Sequence, residues 1–393
     1  MQRLSQSPTD PAFVQDPYAF YTRARAAGEL IWWQDYAMPA APTHRAVHAI
    51  LRDKRFGREC PSELCAPVPD HLAPFWAIEQ HSMLDAEPPR HTRLRGQVLR
   101  AFTSRRIAAL APEIAALCDQ LIDRFPAGPF DLLPAYCTDI PVIIIARLLG
   151  VPDTDAPQLL GWSHAMVAIY QAGRDRTIEE AAASAAKEFA DYLKHHIALK
   201  RRSPGHDLLS TLVQATDADA QLSEDELIGT AILLLNAGHE ATVHALGNAV
   251  RCLLSHNVPQ DLLDPERIAT TVEELLRLDP PLHLFTRYAY EPLTLFGHGF
   301  ARGDQVALLL ASANRDPIIW PDPDRFLADR PSKTHHSFGG GLHFCVGAPL
   351  ARREMQIALP RLFQRCPKLQ LAGPATYADT YHFHGLKALM VQT

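Results

Sequence analysis

The sequence predicts a mainly α protein with a minor β region, and three observations carry that expectation. Helical periodicity runs from His91 to about Lys200, broken only by Pro/Gly punctuation at Pro126 to Pro129 and Gly150 to Pro152. A capping box, Ser223-Glu224-Asp225-Glu226, opens a helix that can continue to about Ser255. Short apolar runs, Leu30 to Trp33 and the stretch Leu284 to Leu310 interrupted by Gly297, Gly299 and Gly303, read as strands of a small sheet.

Taken in order, Pro17 to Ala27 reads as a helix that ends at Gly28 and feeds the first strand. The helix from Ser223 would span about 48 Å at ~1.5 Å per residue. Its middle, Ile228 to Ala237, is apolar on nearly every face, so it must cross the interior. Pro265 to Leu278 reads as a further helix. Ala313 to Gly341 is a long irregular stretch rich in Asp, Pro and Gly, and a loop of that length in a compact domain is usually functional. It delivers the chain to Cys345 and an amphipathic helix, in which Pro360 removes one hydrogen bond and is expected to kink or end the helix early.

With 393 residues, 47% of them hydrophobic, the chain can bury a large core. Its net charge of −6 argues against a nucleic acid or an anionic membrane as the main partner. The opening segment to Asp16 is polar, with neither a signal-peptide core nor the ~20 apolar residues of an anchor, so a cytoplasmic protein without a membrane anchor is expected. Seven cysteines, an odd number with no CxxC pair, are expected to be reduced thiols.

The densest chemistry lies at Phe338-Gly339-Gly340-Gly341-Leu342-His343-Phe344-Cys345-Val346-Gly347. Glycines permit positive φ and close approach to a flat ligand, while the following helix N-terminus offers amides and positive potential to a thiolate. Cys345 should therefore ionise more readily than a core cysteine. An isolated cysteine is more often a small buried hydrophobe; the glycine-dense loop reverses that weighting. Zinc is disfavoured, since His343 and Cys345 alone fall short of three or four ligands, with His335 and His336 read as loop residues.

This segment resembles the haem-binding loop of the cytochromes P450, Phe-Gly-x-Gly-x-His/Arg-x-Cys-x-Gly, with every fixed position matched. The resemblance extends from about Asp16 to Val391 and implies one domain, 1–393. In it haem b lies between the long central helix and the cysteine loop, and Cys345 is the iron ligand that favours O–O cleavage. Phe338, Gly339 and Gly347 would shape the loop, with Phe338 over the sulfur and the Gly347 amide tuning it.

Other motifs fall into place beside it. Glu274-Leu275-Leu276-Arg277 could be an ordinary surface ion pair, but the family pairs this motif with a later arginine, here Arg325 of Pro323-Asp324-Arg325-Phe326, as a clamp under the cysteine loop. His91 and Arg95, spaced i,i+4, are either a solvated basic face or a carboxylate grip. The resemblance makes them haem-propionate contacts together with Arg287 and His343.

In Ala237-Gly238-His239-Glu240-Ala241-Thr242 the mid-helix glycine costs ~1 kcal/mol relative to alanine. Either tight packing or the family's oxygen-binding groove would explain it. Gly238, Glu240, Ala241 and Thr242 are the implied catalytic positions, with one departure: the family's threonine after the acid is Ala241 here.

The implied activity is monooxygenation, with hydroxylation or oxidative demethylation of a small-molecule substrate by O2. Electrons would come from a separate ferredoxin or flavodoxin with an NAD(P)H-dependent reductase, docking on arginines such as Arg100, Arg352 and Arg353. The chain is expected to act as a monomer. Expected pocket walls are Cys60 to Leu84, His164 to Arg174, Ile232 to Ala241, Leu282 to Thr286 and His382 to Leu386. They do not name the substrate.

Overall fold

The computed structural model describes every residue except 172, 215–221, 257, 332 and 382, so Ala172 and His382 of the expected pocket walls lie outside the described residues. Helices dominate, with a six-stranded sheet to one side ordered Gln2–Leu4, Ile31–Trp33, Met38–Ala41, Gln305–Leu309, Leu284–Ala289, Phe56–Gly57. Period-two alternation divides that sheet between two cores. Ala307 and Leu309 pack with Ile31, Trp33, Phe20 and Tyr21, the last two from the helix Tyr18–Ala27. Val306 and Leu308 turn the other way, onto Val47 and Ile50 of the helix His44–Ile50.

The strand Phe130–Asp131 and a π-helical turn, Leu133–Cys137, interrupt the helical stretch that the periodicity marked out. The strand pairs with Met390–Gln392 near the chain's end, a long-range partner that no local pattern reveals.

The central helix, Glu224–Ser255, is capped as its sequence dictates: the Ser223 hydroxyl accepts from the Glu226 amide and the Glu226 carboxylate accepts from the Ser223 amide. Leu227 to Leu235 are all buried, so it crosses the interior against Asp139–Leu149, Ala156–Val167 and Arg176–Arg202. At mid-length the burial breaks. Ala237 is exposed and Ala241 and His244 only half-buried, positions i, i+4 and i+7 of one face. A helix passing through a core with one open face borders a hollow.

Two expectations are corrected here. Pro360 does not end its helix, which runs Ala348–Arg365. Buried Ala358, Leu359 and Leu362 hold the turns on either side, and the packing outweighs one missing hydrogen bond. The clamp is real but its third member differs. Arg277 Nε and Nη2 bond the Glu274 carboxylate at 2.7 and 2.8 Å, and Arg330 Nε donates to Glu274 Oε1 at 2.9 Å. Arg325 has an exposed side chain and contributes only its carbonyl, which accepts from Arg277 and Arg330. The turn at Pro323 to Phe326 aims that side chain outward, and Arg330 reaches back to fill its place.

Candidate active site

The cysteine loop is built by backbone constraints. Cys345 donates its amide to the Phe338 carbonyl at 3.0 Å, closing the loop before the helix that starts at Ala348. Gly341 must be glycine for two reasons: its φ is +65°, and a Cβ would overlap the Leu51 carbonyl oxygen. Gly339, at φ +69°, leaves room for Phe285.

Cys345 is solvent-accessible, yet burial by surrounding protein pushes its thiol above the ordinary value. The Gly347 and Ala348 amides and the Arg95 and Arg352 guanidinia pull the other way without prevailing. Desolvation therefore outweighs these groups, yet they hold the rise at Cys345 below that of the core cysteines, as expected from the helix N-terminus. Burial drives Cys118 and Cys252 up as well, to about 11 and about 12.

Phe338 lies under a guanidinium, Arg352 being 4.5 Å from its ring centroid. The same Arg352 is held by Glu273 at 2.6 and 2.8 Å, so it is a structural brace for the loop before it is a docking charge. Arg100 remains exposed, and Arg353 is half-buried.

Four residues expected to grip a carboxylate converge beside this loop. The His91 ring lies 4.5 Å from the His343 ring, and Arg95 Nη2 donates to the Phe344 carbonyl at 2.6 Å. Burial, with His343 and Arg95 adding to it, holds His91 down to about 4, so its ring is neutral and its Nδ1 is buried without a partner. Arg287 is only 3% exposed, donates to the Thr286 carbonyl at 2.8 Å and forms no ion pair among the described residues. Burial drags it down to about 9.

A buried cation of this kind requires a counter-anion. Glu87, which sequence reasoning missed, comes closest. It accepts from the Arg58 amide at 2.7 Å and lies 3.0 Å from His343 Nε2. Burial favours its neutral form, but the His343 contact and the Arg58 amide outweigh that, and its carboxyl sits below the ordinary range. Pro88-Pro89 beside it was the available signal.

On the central helix the expected catalytic positions are arranged differently from the expectation. The helix is unbroken through Gly238, and a Cβ there would come 3.2 Å from Ile145 Cγ1 on Asp139–Leu149. Close packing thus accounts for the glycine, and no local opening is seen. Thr242 is buried and its hydroxyl lies 3.4 Å from the Gly238 carbonyl, spent on its own helix. Ala241 presents only a methyl group.

Glu240 is ringed by imidazoles: His164 Nε2 at 3.3 Å, His239 Nε2 at 3.5 Å and His244 Nε2 at 3.3 Å. Desolvation favours protonation of its carboxyl, but hydrogen bonds from these rings win and hold it far below the ordinary range. His164 is in turn raised by Glu240 against its own desolvation. His239 and His244 could be read from the sequence beside Glu240. His164 sits on Ala156–Val167 and only the packing brings it there. Two expected walls also meet, as Leu282 bridges Phe383.

A helical fold that presents one cysteine beneath a helix N-terminus, beside a buried cationic cradle and a hollow bordered by the central helix, defines a haem-thiolate class of protein. Comparison with known proteins bears this out. The sequence model described as Cytochrome P450 matches residues 268–372. The chain is similar to the cytochrome P450 monooxygenase PikC of Streptomyces venezuelae, 36% identical over 97% of this chain and 92% of that one. It also resembles the biotin biosynthesis cytochrome P450 of Bacillus subtilis, 33% identical over 99% of both. Among solved structures, P450BioI in complex with a hexadec-9Z-enoic acid ligated acyl carrier protein superposes with a TM-score of 0.91, at 32% identity over 97% of this chain and 99% of that one.

The chain belongs to the cytochrome P450 family and is a haem-thiolate monooxygenase, using iron, O2 and a redox partner. Among the described residues no helix is long and apolar enough to cross a membrane.

Proposed function

We propose that the chain binds haem b through Cys345 and oxidises a small organic substrate, by hydroxylation or oxidative demethylation, in the hollow against Ala237 and Ala241. The observation that carries this reading is Arg287, a buried guanidinium without an ion-pair partner, set with unpartnered His91 Nδ1 beside the cysteine loop. A ligand that offers both a soft-metal centre and carboxylates fits that set. His91, Arg95, Arg287 and His343 would hold the propionates, with Glu87 yielding His343, and Phe338, Gly339 and Gly347 would keep the sulfur in place. Bound haem iron supplies the one-electron and dioxygen chemistry.

The protein's own groups then manage protons and water. Half-exposed His164 passes protons from solvent to Glu240 Oε2, and His244 shares Oε1. With Ala241 unable to donate and Thr242 tied to Gly238, the last donor is an ordered water or a polar group of the substrate. Electrons come from a ferredoxin- or flavodoxin-type partner docking near Arg100 and Arg353.

The deciding experiment is the ferrous carbon monoxide spectrum of the purified chain. A red-shifted Soret band that disappears in Cys345→Ala is expected. Its persistence in that variant would overturn the ligand assignment.

A further inference from the structure

The helix His44–Ile50 carries His44 and His48 one turn apart, and the loop that leads to Cys345 lays His336 against both. The His336 ring lies 4.6 Å from that of His44 and 5.6 Å from that of His48, while His44 and His48 stack at 5.7 Å. One nitrogen from each ring falls within 4.8 Å of the others. His336 is 0% exposed, and both of its ring nitrogens are buried without a hydrogen-bond partner. A side chain with two orphaned nitrogens in an interior is costly unless something accepts its lone pair.

We propose that His44, His48 and His336 form a binding site for a zinc-type divalent transition-metal cation that pins the helix His44–Ile50 to the loop carrying Cys345. Three imidazoles with an open fourth position suit zinc, copper or nickel. Around such an ion, with bonds of ~2.0–2.1 Å, ligand nitrogens stand roughly 3.3 Å apart, so small ring rotations close the set.

His44 is already oriented: its Nε2 lies 3.0 Å from the Thr334 carbonyl, which places the proton on Nε2 and leaves the Nδ1 lone pair for a metal. Burial, with His44 and His48 adding to it, holds His336 down to about 3, so it is a free base at neutral pH. His44 and His48 are half-buried, which gives an ion a way in. Against the site stands Arg52, whose Nη1 lies 3.0 Å from His48 Nδ1. Arg52 is exposed and can turn into solvent, but it repels a cation and competes for that nitrogen.

The site is separate from the haem chemistry, though it reaches the cysteine loop through the His336 carbonyl, which accepts from the Gly339 amide at 2.8 Å. Two other ligand-like clusters are accounted for. His164, His239 and Glu240 belong to the active site, and in Asp279–His283–His384 the carboxylate already accepts from Tyr18 at 2.8 Å and faces Arg251 at 3.6 Å.

The test is zinc titration of chelator-treated holoprotein against a chromophoric chelator, with thermal unfolding in parallel. The wild type should take up one equivalent and unfold at a higher temperature when loaded. His48→Gln and His336→Leu should each weaken uptake at least tenfold and lose the thermal shift. His195→Gln, an exposed histidine elsewhere, should change nothing, and Arg52→Ala should bind more tightly. No uptake by the wild type overturns the proposal, as does uptake unchanged in both variants. So does uptake abolished by His164→Gln but not by His48→Gln, which would place the ion on Glu240.

Discussion

Arg330 Nε lies 2.9 Å from Glu274 Oε1, the same oxygen that accepts from Arg277 Nη2 at 2.8 Å, so one buried carboxylate is shared by two guanidinia. Their side chains are 4%, 1% and 8% exposed for Glu274, Arg277 and Arg330. Glu274→Ala would strand both cations and should cost about 3–5 kcal/mol, with loss of haem. Arg330→Ala should be clearly destabilising, whereas Arg325→Ala, losing only an exposed side chain, should change stability by less than about 0.5 kcal/mol. Chemical denaturation of the three variants checks the order. An Arg325→Ala protein as unstable as Glu274→Ala would reinstate the expectation drawn from the motif.

Arg287 should divide stability between the two states of the protein. Replaced by methionine, it removes a buried cation without an ion-pair partner, so the haem-free chain should unfold at a higher temperature. The haem-loaded chain should lose its cofactor faster, by roughly tenfold to a hundredfold for one charge-assisted bond of about 1.5–3 kcal/mol. Haem transfer to an apoglobin trap measures this. Unchanged transfer would remove Arg287 from the propionate set.

His164 and Glu240 should give the reaction a pH limb. The folded value of His164 is raised above its ordinary 6.5, so its contribution is full below 6.5 and lost as pH rises through the raised value. Glu240 is depressed below its ordinary 4.5, so its contribution is full above 4.5 and lost only as pH falls through the depressed value. Between 4.5 and 6.5 the pair is intact. Turnover coupled to product should therefore change on the alkaline side of 6.5, where His164 loses its proton. His164→Gln should abolish that limb while leaving haem content unaltered. A profile identical in the variant would assign the limb to another group.

Ala241 should make coupling depend on the substrate. Compounds with a hydroxyl or carbonyl near the oxidised carbon should convert reducing equivalents to product, and analogues without it should bind but release hydrogen peroxide. Ala241→Thr should partly restore coupling for those analogues. Peroxide assays that show equal coupling for both kinds of substrate in the wild type would leave water as the donor.

How much of this was legible in advance differs from element to element. The capping box at Ser223, the apolar run to Leu235 and the glycine loop around Cys345 are local patterns, and local patterns survive folding because backbone hydrogen bonds and φ limits act within a few residues. They determined the helical class and the interior crossing of the central helix, and they marked out the loop that carries Cys345. The spacing of His91 and Arg95 likewise marked a shared face.

Tertiary structure alone decided what depends on distant partners. Arg330 displaced Arg325 from the clamp because a turn directs one side chain out and lets the other return. Gly238 serves Ile145 because two helices approach there. Glu87 reached the site from a segment with no motif of its own, and His164, expected on a pocket wall, met Glu240 only through packing. At Cys345 the helix N-terminus is visible in the sequence, but the desolvation opposing it is set by the whole surrounding fold.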